Sequence, residues 1–251
     1  MTIDFPRDGQ IPALRQLWQK AFGDSDDFLD GFFSVGFAPK RCRVLLANGE
    51  IAAALYWFDC QWEEKKVAYL YAIATDPANQ GKGFCRQLVE NTHAHLRSLG
   101  YSGAILVPGD GSLFSLYEKL NYTPCCGVQT KTILAGQAPA PFTQIGASTY
   151  ASLQKKFAPQ GCVFHSQSTL AFASTFNRFY EGQSFAFCGA TDEDTFFFQS
   201  FVGDSTALPG ILAALGVEKG AVRLPGKTPF AMYYSLDGDS RLPEAFEIPL
   251  N

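Results

Sequence analysis

The sequence is short of histidine, of paired cysteine spacings and of net charge, and each shortage excludes a class of protein. Three histidines and seven cysteines without any C-x-x-C spacing argue against a zinc site, and the odd cysteine count argues against a disulfide framework. The net charge of −4 argues against a general affinity for nucleic acid or for an anionic membrane. We therefore expect free thiols, no metal and no nucleic-acid partner.

Long apolar runs are also missing. No run reaches the roughly 20 residues that a membrane-spanning helix needs, and residues 1–10 lack the apolar segment of a signal peptide. What remains is an ordinary globular composition, 47% hydrophobic and 18% charged over 251 residues, enough for one large domain or two small ones. We expect a cytoplasmic protein without a membrane partner.

His93 and His95 have the look of a metal-ligand pair. On the helix predicted there, residues two apart point to different faces, so the two rings cannot chelate one ion. We expect both side chains to lie at the surface.

The first half of the chain shows a helical pattern and then patterns typical of strands. The expected elements are helices over 10–22 and from Ser25, strands over 41–47, 51–62 and 67–74, a helix over 83–99, a strand over 103–107, a helix over 112–120 and one or two closing strands over 122–134. Asn48-Gly49 predicts a hairpin turn between the first two strands. Hairpins combined with a strand–helix–strand crossover predict a mixed α/β sheet.

A segment punctuated by proline and glycine, 135–141, predicts a linker between two domains, 1–134 and 142–251. The stretch from Ala221 resembles the stretch from Ala104, since both run through a strand and Pro-Gly to an aromatic-rich segment. This similarity favours a degenerate internal repeat. The many phenylalanines of the second domain favour a compact core.

A glycine-rich segment, Gln80–Cys85, lies between a buried strand and a helix. The first amides of a helix have no intrahelical partner, and the helix dipole adds partial positive charge there. Glycines at 81 and 83 let the backbone approach a phosphate closely. The segment therefore predicts either an anion cradle or a tight strand-to-helix turn.

Two common phosphate-binding patterns do not match this loop. A Walker loop requires G-x-x-x-x-G-K-[ST], and the segment lacks both that spacing and the hydroxyl. A dinucleotide fingerprint requires G-x-G-x-x-G, and Arg86 stands where the third glycine should be. A nucleotide-binding Rossmann protein is thereby disfavoured.

The loop resembles the pyrophosphate loop of the GCN5-related N-acetyltransferases (GNAT), Gln/Arg-x-x-Gly-x-Gly/Ala, with Cys85 at the last small position. The segment Leu113–Tyr122 (LFSLYEKLNY) is similar to the family's Phe/Leu-Tyr-x-Lys-Leu-Gly-Phe signature, with Asn121 in place of the glycine. Asparagine also adopts a left-handed cap, so we expect the geometry to survive. The resemblance covers about residues 10–134. It implies an acyl-CoA N-acyltransferase fold there, and a tandem, degenerate GNAT-like second domain without a cofactor loop.

The resemblance implies acetyl-CoA as co-substrate and a primary amine of a small molecule or peptide as acceptor. Tyr117 would protonate the departing CoA thiolate after direct attack by the amine, although a core tyrosine is the alternative interpretation. The implied cofactor-binding residues are Ala72, Ile73 and Ala74 along the pantetheine arm, Gln80, Gly81, Lys82, Gly83, Phe84, Cys85 and Arg86 at the pyrophosphate loop, and Ser112.

The sequence does not single out a general base. Asp59, Glu63, Glu64 and Asp110 lie in polar turns or at strand ends, where a solvated carboxylate is the more common case. A non-catalytic acyl-CoA-binding or regulatory module therefore stands as the alternative to an enzyme.

Overall fold

The structure, a computed structural model, describes residues 1–250, and the chain divides into two compact units. Unit 1 contains residues 1–60, 64–123 and 232–241, and unit 2 contains residues 61–63, 124–231 and the segment from Leu242 onward. This division differs from the predicted domains 1–134 and 142–251. A late segment of the chain belongs to unit 1, and the strand before the predicted linker belongs to unit 2.

The helices and strands of the first half follow the predicted order, preceded by one short strand. They are β1 (Thr2–Asp4), α1 (Ile11–Phe22), α2 (Asp26–Gly31), β2 (Cys42–Ala47), β3 (Glu50–Trp62), β4 (Lys65–Thr75), α3 (Phe84–Ser98), β5 (Gly103–Leu106), α4 (Leu113–Glu118) and β6 (Thr123–Cys125). A π-helical turn, Phe32–Gly36, directly follows α2.

The second half contains more strands than the first. Its elements are β7 (Val128–Leu134), β8 (Thr143–Ile145), α5 (Ala147–Phe157), β9 (Cys162–His165), α6 (Gln167–Ala173), β10 (Arg178–Glu181), β11 (Phe185–Asp192), β12 (Thr195–Gly203), α7 (Leu208–Leu215), β13 (Lys219–Pro225), β14 (Ala231–Ser235) and β15 (Ala245–Phe246).

Local sequence explains the hairpin and the long helix of unit 1. Asn48 and Gly49 both have positive φ, 54° and 86°, as a type I′ turn requires, so the predicted hairpin is confirmed. Helix α3 buries Leu88, Val89 and Leu96 on the face that packs in the core of the unit.

The sheet of unit 1 runs β1-β2-β3-β4-β5-β14, with β4 and β5 parallel and β14 antiparallel to β5. The one or two closing strands predicted over 122–134 are present as β6 and β7, but β7 lies in the sheet of unit 2 and the strand beside β5 is the distant β14. Gly103 makes room for the actual neighbour: a Cβ there would lie 2.0 Å from the hydroxyl oxygen of Tyr233. A pairing between residues this far apart leaves no local signal in the sequence.

The sheet of unit 2 runs β8-β10-β11-β12-β13-β7, with β12 and β13 parallel. Its core contains five phenylalanines, together with the apolar face of α7, as the composition predicted: Phe185, Phe187, Phe196, Phe198, Phe201, Leu208, Ile211 and Leu212. In both units the parallel strands are joined by a helix, α3 in one and α7 in the other.

The strand order of unit 2 is similar to that of unit 1, and in each sheet the strand beside the parallel pair, β14 or β7, is distant from that pair in the sequence. The similarity between the stretches from Ala104 and Ala221 falls on β5 and β13, each followed by Pro-Gly. Beyond Pro-Gly the predicted match is wrong, because the aromatic-rich segment forms helix α4 in one copy and strand β14 in the other.

Candidate functional site

Two of the six residues of the glycine loop, Gln80–Cys85, have a left-handed backbone conformation. Gly81 has φ +75° and Gly83 has φ +76°, a conformation that residues with a Cβ rarely adopt. Apart from the adjoining backbone and neighbouring residues, no heavy atom of the described chain lies within 4 Å of a Cβ built on Gly81, and a Cβ on Gly83 would meet only Gln87 Nε2, at 4.0 Å. The backbone conformation, rather than crowding, therefore explains the glycines.

Helix α3 begins directly after this loop. Gly83 is its N-cap, so no side-chain oxygen of the cap residue accepts from the first amides, those of Phe84, Cys85 and Arg86. Fifteen aligned residues add their dipole at this end. Amides without a side-chain cap beside two left-handed glycines are suited to a phosphate or pyrophosphate group, so the anion cradle stays a prediction.

Lys82 is turned back onto the preceding turn. Its ammonium donates to the Ala78 carbonyl and to Asn79 Oδ1, both at 2.9 Å. Asp76 stabilises the same turn by accepting from the Ala78 amide at 3.0 Å. A hydrogen bond from Lys20, together with the one from the Ala78 amide, lowers the pKa of Asp76. Lys82 thus stabilises the link between the loop and the preceding turn. Gln80, the first residue of the loop, is exposed.

Strand β4 stops pairing with β5 several residues before β4 itself ends. The parallel register covers Val67–Tyr69 against Gly103–Ile105, whereas β4 continues to Thr75. Ala72 has φ +48°, unusual for a residue with a side chain, and so breaks the regular strand at this point. The backbone edge of Ala72, Ile73 and Ala74 lies in this stretch.

Tyr117 is buried, with 7% of its surface exposed, and lies in the same core as the partly buried Cys85. Burial raises the pKa of its hydroxyl, and the nearby Cys85 thiol raises it further, so Tyr117 stays protonated at neutral pH. Arg86 Nη2 donates to the Lys119 carbonyl at 3.3 Å. The start of α3 and the end of α4 are therefore held together.

Asn121, three residues after the end of α4, has the left-handed conformation, with φ +63°, as predicted for the residue that replaces the family's glycine. The Tyr122 amide then bonds back to the Tyr117 carbonyl at 3.0 Å.

Ser112 is exposed, and its hydrogen-bond partner lies two residues away in the sequence. Its amide and hydroxyl donate to the Asp110 carboxylate, and these bonds lower the pKa of Asp110. The structure thus pairs Ser112 with Asp110 rather than with the glycine loop. A carboxylate stabilised in its charged form is a weak base, which argues against Asp110 as a proton acceptor.

The other carboxylates considered as bases do not converge on one point. Asp59 is bonded to Arg41 at 3.1 Å and to the Tyr101 hydroxyl. Glu64 is exposed, and Glu63 lies in a turn with φ +51°. The carboxylate that sequence reasoning missed is Asp24, which accepts from the indole of Trp18 at 2.7 Å. Its position between a helix stop and the N-cap Ser25 gave it the appearance of an ordinary turn residue.

His93 is not at the surface, which corrects the prediction. It is 4% exposed, its Nε2 lies 2.7 Å from the Tyr122 hydroxyl, and its ring stacks on Tyr234 at 4.1 Å. Desolvation, and secondarily the charge of Arg97, lowers its pKa to about 4. Tyr234 arrives on β14, so the sequence around His93 could not reveal this burial.

Two further features concern metals and membranes. Over residues 1–250, no three His, Cys, Asp or Glu side chains gather in a way that could hold a metal ion. Over the same residues, no helix is both long and apolar enough to cross a bilayer.

Comparison with known proteins agrees with this geometry. Residues 2–125 match the family model of the acetyltransferase (GNAT) domain. A GCN5-related N-acetyltransferase from Anabaena variabilis ATCC 29413 has a TM-score of 0.73 and 14% identity, covering 94% of this chain and 72% of that chain. One from Kribbella flavida has a TM-score of 0.71 and 14% identity, covering 94% and 71%.

A third structure covers nearly all of both chains. The GCN5-related N-acetyltransferase from Sphaerobacter thermophilus has a TM-score of 0.55 and 15% identity, covering 97% of this chain and 98% of that chain. No curated protein sequence matches this chain. Identities this low establish the fold that these proteins share, and the family model establishes the kind of domain over residues 2–125. By that match residues 2–125 form an acetyltransferase (GNAT) domain, and the chain shares the fold of these GCN5-related N-acetyltransferases.

Proposed function

We propose that unit 1 transfers an acetyl group from acetyl-CoA to a primary amine of a small molecule or peptide. The observation that carries the proposal is the uncapped start of α3 behind two left-handed glycines, beside the end of β4 that parts from β5. The first feature suits a pyrophosphate and the second suits an extended arm that bonds to a strand edge.

Each part of the co-substrate has residues suited to it. The amides of Gly81, Gly83 and Phe84–Arg86 would hold the pyrophosphate, while the edge of Ala72–Ala74 would bond the pantetheine arm. Acetyl-CoA supplies the activated thioester. An amide near Ile73 or Ala74 would polarise the thioester carbonyl.

Tyr117 would supply the proton that the CoA sulfur needs on leaving. Its raised pKa keeps the phenol protonated at neutral pH, so that a proton is available to the sulfur as the carbon–sulfur bond breaks. Direct attack by the amine requires no covalent intermediate on the enzyme. Cys85 would serve only as the small residue of the loop.

Two measurements test the proposal. We expect calorimetric titration to show one acetyl-CoA bound per chain, and no binding at millimolar acetyl-CoA would contradict the proposal. We expect CoA thiol release with an amine panel to fall about 100-fold in kcat for Tyr117→Phe, because general acid catalysis contributes at least that much, with acetyl-CoA affinity unchanged.

The control is Tyr150→Phe, the same change at a buried tyrosine of unit 2, which should leave kcat unchanged. Tight binding of acetyl-CoA without turnover of any amine would instead support a non-catalytic acyl-CoA-binding module.

A further inference from the structure

The turn between α1 and α2 presents a partly buried carboxylate held by a buried indole. Trp18 is 2% exposed, and its Nε1 donates to Asp24 Oδ2 at 2.7 Å. Because the indole is fixed by packing, it fixes the carboxylate as well. The partner is a neutral N–H, so this bond leaves the negative charge of Asp24 uncompensated.

Neighbouring carboxylates of the same region are paired differently. Asp26 and Asp30 are both bound by Arg15, at 3.3 and 2.7 Å. Lys20, on α1, is bound to Asp76 at 2.9 Å. The nearby cations are thus bonded to other acids, and Asp24 is bonded to an indole.

Asp24 lies close to the irregular part of β4. The ring of Trp18 is 5.8 Å from the ring of Tyr71, the residue that immediately precedes the left-handed Ala72. Burial raises the pKa of the Tyr71 hydroxyl, and the charge of Asp24 raises it further, which places the carboxylate within electrostatic reach of that phenol. The carboxylate therefore flanks the point of β4 where the thioester is expected.

Aromatic rings surround the same indole. Phe32 and Phe33, both in the π-helical turn, lie 4.6 and 6.4 Å from Trp18, and Phe28 lies at 6.2 Å. Phe28 and Phe33 are partly exposed, and Phe22, 5.7 Å away, is 46% exposed. Short π-helical segments are frequent at functional sites. Together these rings offer an apolar, aromatic wall beside one carboxylate.

From this arrangement, and resting on the transferase function proposed above, we propose that the acceptor is an amine on an aromatic or other apolar body. Its amino group would bind Asp24, and its body would lie against Trp18, Tyr71 and the exposed rings. The carboxylates of Asp26 and Asp30, although paired, add to a local negative field that disfavours an acceptor carrying its own carboxylate.

Asp24 then has a chemical role as well as a binding one. As the nitrogen forms its bond to the acetyl carbon, the bond from that carbon to the CoA sulfur breaks. The nitrogen's proton passes to the Asp24 carboxylate, and the sulfur takes a proton from Tyr117. The products are an N-acetyl amide and CoA thiol, and the proton on Asp24 returns to Tyr117 through solvent.

The experiment compares three amines and two variants. Tryptamine has an apolar aromatic body, ethanolamine has almost no body, and tryptophan adds a carboxylate to the tryptamine frame. We expect kcat/KM for tryptamine to exceed that for ethanolamine by about 100-fold, from the apolar area that an indole buries, and to exceed that for tryptophan.

Asp24→Asn removes the charge but keeps an oxygen that can accept from Trp18, so the fold should persist. We expect kcat with tryptamine to fall about 100-fold, because a general base contributes at least that much, with the acetyl-CoA dissociation constant unchanged. Asp27→Asn makes the same change at an exposed carboxylate of α2 and should leave kcat within about threefold of the unmodified chain.

Unchanged turnover of tryptamine by Asp24→Asn, or equal use of tryptamine and ethanolamine, would overturn the inference. If the chain binds CoA but acetylates none of the amines, the transferase proposal fails. Calorimetry of tryptamine with the CoA-loaded chain then tests the acceptor site separately. Tryptamine binding that Asp24→Asn abolishes supports the acceptor site. Binding that persists in Asp24→Asn, or no binding to the unmodified chain, overturns it.

Discussion

The two units differ most where their parallel strands lead into a helix, β4 into α3 and β12 into α7. In unit 1 this junction has two left-handed glycines and a helix without a side-chain cap. In unit 2 helix α7 also begins without a side-chain cap, but Ser205, Thr206 and Ala207 stand directly before it instead of glycines, and Pro209 removes an amide from its first turn. Asp204 accepts from the Thr206 amide at 2.9 Å just as Asp76 accepts from the Ala78 amide in unit 1, so what unit 2 lacks here is the pair of left-handed glycines directly before the helix.

A second difference lies along the strands themselves. Gly103 of β5 and Gly220 of β13 align the two parallel pairs, and by that alignment Phe201 stands where Ala72 stands in unit 1. The Phe201 amide donates to the Glu247 carboxylate at 3.3 Å. The C-terminal segment of the chain thus takes up an edge whose counterpart in unit 1 we assign to the pantetheine arm.

Strand order alone therefore does not make a cofactor site. Both units have a similar succession of strands and a helix between the parallel pair. What separates them is the pair of left-handed glycines before the helix in unit 1, and the Phe201 amide of the strand edge in unit 2, which the chain's own Glu247 satisfies. We infer a repeat in which one copy has kept the site, and expect one acetyl-CoA per chain.

The largest effect should come from placing a carboxylate at the start of α3, where unit 1 has a left-handed glycine that unit 2 lacks. Asp and Asn both tolerate a left-handed φ, so Gly83→Asp and Gly83→Asn differ mainly in charge. A carboxylate about 4 Å from a pyrophosphate charge costs about 4 kcal/mol at an effective dielectric constant of 20, close to 1,000-fold in affinity. We expect calorimetry to show that loss for Gly83→Asp and a much smaller one for Gly83→Asn. Equal affinities would contradict an anion site at this helix start.

The next effect concerns the carboxylate that unit 2 keeps for itself. Burial raises the pKa of Glu247 from 4.5 to about 7, so the folded chain holds this proton more tightly than the unfolded chain does. The resulting stability is fully present below pH 4.5 and is lost as pH rises through about 7. It amounts to at most about 3 kcal/mol, less where solvent screens the carboxylate.

Glu247→Gln stays neutral and keeps an acceptor for the Phe201 amide. We expect its free energy of unfolding, measured with urea at pH 5, 6, 7 and 8, to exceed that of the unmodified chain increasingly with pH. Glu244→Gln, an exposed change in the same segment, is the control. A pH dependence that Glu247→Gln leaves unaltered would mean that Glu247 does not titrate in this range.

A somewhat smaller effect is expected from the strand that completes unit 1. Gly103→Ala places a methyl group against the Tyr233 ring, and overpacking of this kind costs about 1–3 kcal/mol. Gly111→Ala meets open space and is the matched control. Denaturant unfolding should show the loss for Gly103→Ala alone, and an equal loss in both variants would mean that β14 does not pack on β5 as described.

The smallest effect should follow the removal of the Lys82 ammonium. Its two hydrogen bonds lie at an exposed turn, so Lys82→Met should change the free energy of unfolding by no more than about 0.5 kcal/mol. Since the ammonium already bonds to the chain, we expect acetyl-CoA affinity to change less than about threefold. A tenfold loss of affinity at unchanged stability would show that Lys82 leaves the turn to bind phosphate.

A part of the site could be predicted when the residues that determine it lie close together in the sequence. The glycine loop, the Asn48-Gly49 hairpin and the Asn121 cap were predictable because each states a backbone requirement within a few residues. Ser112 was assigned to the cofactor by family resemblance, and its observed partner, Asp110, is as local as those turns. Asp24 went unnoticed because its environment is built by Trp18 and Tyr71, and only one of these is near it in sequence.

The sequence by itself determined the mixed α/β class, the order of elements up to α4 and the position of the loop, since periodicity and turn chemistry act locally. Only the tertiary structure decided which strand borders β5, why His93 is buried and what satisfies the Phe201 amide. Each of these depends on a segment after residue 230 meeting one far earlier in the chain. Such pairings are selected by shape and burial in the folded chain, and no short-range pattern records them.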